Sequence, residues 1–499
     1  MRMSQIVLIW IFLLALPAHA QDDFREWAAS QRQKYNQFRK EEDQQFHRFL
    51  QKEWKQFRVM SGKREDPAPK PDDIPQAPLP GQDKQTPTPS SSSPKEEQAK
   101  IRTPYPREPS EAVSPEQAPG SSVSAETEEG KQLIRVGMLG HKLTFRLRPA
   151  WGDLDLEGVG EQQVQRFWKQ FAGLDSEPIL QEIERHAQEL ALGDWGRLIM
   201  THRLARAVIG RDSEKNTASL LAWGWLLKGG SAVRIARSQD NIVLLYRSRQ
   251  KVFQEPYFDL QGKRYYVFGE ANPSQVSTYQ GSYTGTEDRL DLLQQGELSA
   301  KGPRKKRNLK FRFRNETYQV KVSLCLSRIR FLNTIPQLSL SAYFYSESGK
   351  EVKDRLIPQL REAVSGMGQR ERVNFLLRFA QMAFKYQKDD SQFGRENYLY
   401  PVETLFYPAS DCEDRSILFS ELVRQLLGLD VAVLDYPGHV ATAVDLPQVE
   451  EGYRVTIADR TLLVADPTYL NARVGMVMPD FSEESPEILP LWEPYSESG

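Results

Sequence analysis

The chain has 499 residues, too many for one ordinary domain, and its 66 basic and 67 acidic side chains leave a formal net charge of −1 at pH 7. That balance gives no sign of nucleic-acid binding, which a surplus of Lys and Arg would mark. Only Cys325 and Cys412 are present, which excludes a disulfide framework even though the chain reads as exported.

Export is read from residues 1–20. MRMSQ is a basic start, IVLIWIFLLAL an apolar core and PAHA a small-residue cleavage site, with cutting expected after Ala20. The apolar run is about half of the ~20 residues that a spanning helix needs. No cysteine stands at the cleavage point for a lipid anchor, and no later segment is apolar enough for a transmembrane helix. The expectation is a soluble, exported protein, periplasmic in a cell with two membranes.

Residues 22–60 are polar and helical in composition, with aromatics at a fixed interval. Phe24, Tyr35, Phe46 and Phe57 recur every eleven residues, and Trp27, Phe38 and Phe49 form a second row. Eleven residues in three turns keep one stripe on one face of a nearly straight or slightly right-handed helix. A lone helix cannot bury that stripe, so the segment is expected to self-associate as a coiled coil, dock on a partner or lie on its own body. Residues 61–130, with PAPKPDDIPQAPLPGQDKQTPTPSSSSPKEE, hold proline, serine and charge with little to bury, and read as a disordered tether.

From residue 131 onward apolar runs alternate in a globular, α+β pattern. Three segments are expected: a strand and helix domain over 131–300, a basic strand-rich stretch over 301–350, and a second domain over 351–499. The basic run KGPRKKRNLKFRFR (301–314) is either a solvated face or a dock for an acidic protein or anionic polymer. Cys325 alternates within YQVKVSLCLSRIRF as an ordinary strand residue. A Cys325–Cys412 disulfide would compete with any role for a free thiol.

The two globular stretches resemble each other. SILFSELVRQLLGLDVAVLDYPGHVATAV (416–444) sets without a gap on ASLLAWGWLLKGGSAVRIARSQDNIVLLY (218–246). In the same register TIADRTLLVAD (456–466) falls on FDLQGKRYYVF (258–268). Upstream, RVNFLLRFAQMAF (372–384) matches RLIMTHRLARAVI (197–209), with Arg378 over Arg203. The later stretch then carries about two dozen extra residues before its cysteine. The earlier stretch reads as a degenerate copy: opposite Cys412, His439 and Asp466 stand Glu214, Asn241 and Phe268.

Those three residues are the candidate chemistry. Cys412 stands where SILFSELVRQLL begins its helical period, and a helix N-terminus favours a thiolate. Asp411, Glu413 and Asp414 oppose it, so a cation is needed beside them: a histidinium, Arg415 or a metal. His439 opens an apolar strand, and Asp466 closes another before Pro467. The order Cys, His, Asp suits a thiolate–imidazolium pair oriented by a carboxylate.

DCED, GHVATAV and ADPTY over roughly residues 351–470 resemble the transglutaminase-like cysteine peptidase superfamily, whose core is papain-like. DCED is most similar to that of the calcium-dependent bacterial periplasmic proteases. The resemblance implies Cys412 as nucleophile, His439 as general base and acid, and Asp466 as its orienting group. It also implies calcium held by Asp411, Glu413 and Asp414, against the alternative of an ordinary acidic helix start. The loop KYQKDDSQFGRENYLYPVETLFYPAS (385–410) is expected to wall the cleft. Tyr398, Tyr400 or Tyr407 would join the Cys412 N–H as an oxyanion donor.

The expected activity is thiol attack on an amide of a protein or peptide substrate. Water as acceptor gives a protease or amidase, an amine a crosslinking transglutaminase, and a lost activity a binding or scaffold protein on the same fold.

Overall fold

The computed structural model describes residues 18–61, 76–77, 124–128, 131–210, 214–269, 271–286, 288–346, 349–446 and 451–495. Most of the expected signal peptide and tether lies outside those residues, as do the side chains of Phe24, Trp27 and Tyr35. Helix α1 (Ala18–Leu50) is followed by strands β1 (Lys55–Arg58) and β2 (Met60–Ser61). The body opens with three antiparallel strands, β3 (Ser124–Glu128), β4 (Lys131–Met138) and β5 (His141–Leu147). Helices α2 (Glu161–Ala172), α3 (Glu177–Glu189), α4 (Asp194–Ile209) and α5 (Lys215–Lys228) come next. Strands β6 (Val233–Ser238), β7 (Asn241–Tyr246), β8 (Val252–Phe253), β9 (Pro256–Leu260), β10 (Lys263–Val267) and β11 (Gln275–Thr278) complete the first unit.

The second unit repeats the plan. A hairpin, β12 (Arg304–Phe313) and β13 (Glu316–Cys325), leads into α6 (Leu326–Leu332), β14 (Gln337–Leu338) and α7 (Leu340–Tyr345). A π-helical turn (Val352–Leu356), α8 (Ile357–Ala363) and α9 (Gln369–Met382) follow. Then come β15 (Lys385–Tyr386), α10 (Asp389–Phe393), α11 (Pro401–Phe406), β16 (Ala409–Ser410) and α12 (Cys412–Leu422). Its sheet is built from β17 (Val431–Tyr436), β18 (His439–Val444), β19 (Arg454–Ile457), β20 (Arg460–Ala465) and β21 (Glu487–Pro490). The fold is α+β. None of the described helices is long and apolar enough to cross a membrane.

The two sheets have one strand order. The first runs β11-β6-β7-β10-β9 and the second β21-β17-β18-β20-β19, with every neighbouring pair antiparallel. In each unit a helix pair packs on the sheet and a hairpin packs on the first helix of the pair. Arg203 on α4 donates to the Gly137 carbonyl of β4 at 2.8 Å, and Arg378 on α9 donates to the Arg312 carbonyl of β12 at 3.2 Å. Glycines 193 and 368 begin the two helices. The basic run therefore supplies the second unit's counterpart of the β4–β5 hairpin. Its outer side chains are exposed, while Lys305 and Arg307 turn inward onto the carbonyls of Phe406 and Leu405 at 3.2 and 2.7 Å.

One expected match shifts by a residue. Tyr246 pairs with Tyr266 in the first sheet, but the matching Val444 pairs with Leu463 in the second. The hairpins turn between Leu260 and Lys263 and between Ile457 and Arg460. Ladder register thus sets Asp466 over Gly269, not over Phe268, because the connection after β7 is one residue longer than that after β18.

The expected helix over 22–60 ends at Leu50, and residues 55–61 are strand. β1 pairs with β11 at one edge of the first sheet and β2 with β9 at the other, so this short segment spans both open edges. Phe57 and Val59 pack on the apolar cluster of that sheet, with the Phe57 and Phe258 rings 5.3 Å apart. Two edges with unpaired N–H and C=O groups offer more to an alternating segment than another helical turn would.

The end of α1 docks on its own body. Phe46 is 1% exposed and sits 5.0 to 5.9 Å from the rings of Trp168, Trp223, Tyr279 and Tyr283. Asp43 receives Lys228 at 2.6 Å and the Tyr283 hydroxyl at 3.0 Å. Phe38, about two turns before Phe46, is 49% exposed. Phe49 lies over Gly281, where an added Cβ would come 2.3 Å from its ring. Gly281→Ala is expected to lift Phe49 and cost about 1–3 kcal/mol, and Phe46→Ala about 3–5 kcal/mol. Urea titration measures both, and limited proteolysis after α1 shows whether its docking is what was lost.

Candidate active site

The DCED run starts α12 by capping. The Asp411 side chain accepts the Asp414 N–H, and the Asp414 carboxylate reaches back to the Asp411 N–H at 3.4 Å. Cys412 becomes the first residue of the helix, where a backbone N–H has no intrahelical acceptor. All eleven residues of α12 are buried, charged ones included.

Arg415, one of the cations expected beside the acidic run, is buried within the same helix. Its guanidinium donates to Ser410 Oγ at 3.2 Å and to the Gln381 and Phe384 carbonyls at 3.1 Å each, and lies 5.6 Å from the Tyr386 ring centre. Burial pushes its pKa down to about 10, against the pull of Tyr386, Asp411, Cys412 and Asp414. It stays charged at neutral pH.

His439 opens β18 after the Pro437–Gly438 turn, where Gly438 takes φ +75°. Its Nε2 lies 2.8 Å from Asp466 Oδ2, and each residue is 2% exposed. The other Asp466 oxygen accepts the Thr468 N–H and hydroxyl at 2.9 Å and the Tyr469 N–H at 3.1 Å. Gln381 braces the same loop from α9, donating to the carbonyls of Asp466, Tyr469 and Ala472. Burial alone would lower the His439 pKa, but Asp466 outweighs it and the net shift is upward. For Asp466 burial opposes ionisation, yet His439 and Thr468 hold its pKa below the ordinary value. Phe481 stacks on the imidazole at 4.8 Å.

The helix that Cys412 opens is tied to the strand that His439 opens. Ser416, one turn on, donates to the Val440 carbonyl at 2.9 Å, next to His439. With Nε2 directed at Asp466, the Nδ1 edge is the one left for a thiol. The Cys412 thiol itself donates to Glu413 Oε2 at 2.9 Å, and Glu413 also favours the charged imidazole. Both cysteines are free and buried, so the competing disulfide is not formed.

The expected metal ligands divide. Glu413 receives the thiol, and Asp414 accepts the N–H groups of Leu399 and Asp411. Only Asp411 joins a carboxylate cluster, with Asp389 and Glu396 from the 385–410 loop, their oxygens within 4.8 Å of one another. Local sequence could not pair them, since the loop folds back before the helix. The oxygen set suits a hard cation such as calcium.

Among the expected oxyanion tyrosines, Tyr407 donates to Asn333 Oδ1 at 3.2 Å, while the rings of Tyr398 and Tyr400 pack on Tyr343. Gln381, Thr468 and Phe481 were not singled out by sequence. A glutamine between Leu377 and Phe384 on an apolar helix face was the one available signal.

Comparison with family models and with curated proteins found no match to this chain.

Because the His439 pKa is raised on folding, its share of stability is complete below about pH 6.5 and lost as pH rises through the folded value. Asp466, depressed on folding, contributes above about pH 4 and loses its share as pH falls. Asp466→Asn is therefore expected to cost on the order of 3 kcal/mol near pH 5.5. Denaturant titrations of both proteins should show that gap narrowing towards pH 9.

Proposed function

We propose that the chain is an exported cysteine hydrolase of the transglutaminase-like type, cleaving amide bonds of a protein or peptide through a thioester. The observation that carries this reading is the buried His439–Asp466 pair beside a helix that begins with Cys412. A buried imidazole–carboxylate pair is costly unless its charge is used or fully compensated, and here the carboxylate is compensated by three further donors.

In the reaction, the Cys412 proton passes to His439 Nδ1 and the sulfur attacks the amide carbon. The carbonyl electrons move to oxygen, which the N–H groups at the start of α12 receive. As the oxyanion collapses, the C–N bond breaks, and the imidazolium gives its proton to the departing amine. A water deprotonated by His439 then attacks the thioester, releasing the acid and restoring the thiol. An amine in place of water would give transamidation. Asp466 keeps the imidazole oriented throughout.

The common strand order, the matched arginines and the matched glycines support descent of the two units from one duplicated ancestor. In the first unit, Glu214, Asn241 and Gly269 stand at the three positions, which supports a non-catalytic role there. The same departure keeps a second reading in view, in which the whole chain is a binding protein.

Calcium is the cation we propose for Asp389, Glu396 and Asp411, where it would remove the mutual repulsion of three carboxylates next to the nucleophile.

Alkylation of Cys412 by iodoacetamide, followed by mass spectrometry, tests the thiol chemistry. At pH 6 labelling should be fast and should fall about 100-fold in His439→Ala, whereas an unactivated thiol would follow the ordinary pKa of ~8.5 in both proteins. For the cation, saturating calcium at about 100 times its Kd should add about 2.7 kcal/mol of stability, lost in Asp389→Asn. An unchanged melting curve in wild type would remove calcium from the site.

A further inference from the structure

Two residues of the proline-rich stretch are placed against the active site. Gln76 forms a parallel bridge with Leu470, and the Ala77 N–H donates to the Leu470 carbonyl at 2.7 Å. Leu470 belongs to the loop that carries Asp466, next to Tyr469, whose N–H bonds the Asp466 carboxylate. Ala77 is 3% exposed and fills a small apolar pocket made by Tyr469, Ala472 and Met478. Phe481 packs on that same cluster and stacks on His439. Cys412, His439 and Asp466 are each no more than 2% exposed, so a substrate needs the site to open.

We propose that the groove along Tyr469–Leu470 is a binding subsite for an extended polypeptide bearing a small apolar residue, and that residues 76–77 occupy it as an internal ligand that keeps the site closed. Backbone pairing at Leu470 supplies affinity for any extended chain, and the pocket for Ala77 selects the small side chain. Tethering in the same chain gives the internal ligand an effective concentration in the millimolar range, enough to hold a weak contact in place. A protein substrate would enter by displacing it. The closing role rests on the thiol chemistry proposed above, and the subsite itself does not.

The test uses the full mature chain with two variants. Ala77→Asp puts a carboxylate into the apolar pocket, and Ala77→Pro removes the N–H bonded to Leu470 without adding charge. The probe is a fluorescein-labelled peptide of residues 72–82, DDIPQAPLPGQ, followed by anisotropy, with thermal unfolding to verify that both variants are folded. Wild type should bind the peptide at least 10-fold more weakly than either variant, and a peptide with Asp in place of its alanine should not bind. Cys412 alkylation at pH 6 should rise about 10-fold in both variants and return towards the wild-type rate when peptide is added. Failure of both folded variants to bind overturns the subsite. Binding with no change in the labelling of an activated Cys412 overturns the closing role. Binding with labelling at ordinary thiol rates throughout supports the subsite and counts against the thiol chemistry instead.

Discussion

Complete burial of α12 is the constraint on which the second unit depends. An eleven-residue helix buried along its whole length needs internal partners for most of the polar groups it carries, since each orphan would cost about 1–3 kcal/mol. Arg415 is met by two carbonyls and a hydroxyl, Asp414 by two backbone N–H groups, and Ser416 by the strand that starts with His439. These bonds reach α9, the 385–410 loop and β18. The surroundings of Cys412 are thereby assembled by the same contacts that make the helix tolerable inside the protein. The local geometry of the site is a consequence of burying that helix.

The two units show one frame bearing different loads. In the first, Asn216 spans the β6–β7 turn, donating to the Asp240 carbonyl and accepting the Ile242 N–H at 2.9 Å each. It thus brackets Asn241, which stands where His439 does. The turn there is held by a neutral amide, a group that cannot move a proton. The first sheet is also closed across both edges by residues 55–61, whereas the second keeps β19 and β21 as its ends. The first unit is the more sealed of the two, which fits a supporting or recognition role beside a proposed catalytic partner.

Much of this could be read from residue order alone, for physical reasons. DCED followed by an apolar period is a capping box before a helix, and both features are local. The Pro437–Gly438 turn and the proline after Asp466 mark strand ends in the same way. The repeat over 218–246 and 416–444 was legible because buried helix and strand faces restrict residue type. Its second hairpin was set one residue out, because a surface connection can change length without leaving a trace in the apolar pattern. The end of α1 was missed because its aromatic interval continues through Phe57, while the sheet edges that capture Phe57 lie two hundred residues away.

Sequence by itself determined the α+β class and the internal likeness, and it nominated residues 1–20 as an export signal and Cys412, His439 and Asp466 as the candidate chemistry, since each rests on short-range pattern or residue chemistry. Tertiary structure decided which carboxylates meet. Asp411 joins Asp389 and Glu396, while Glu413 turns to the thiol and Asp414 to the backbone. It also decided that Gln76 and Ala77 lie beside the Asp466 loop. Those outcomes depend on side-chain direction and on chain reversal over tens or hundreds of residues, and neither leaves a periodic signature in the sequence.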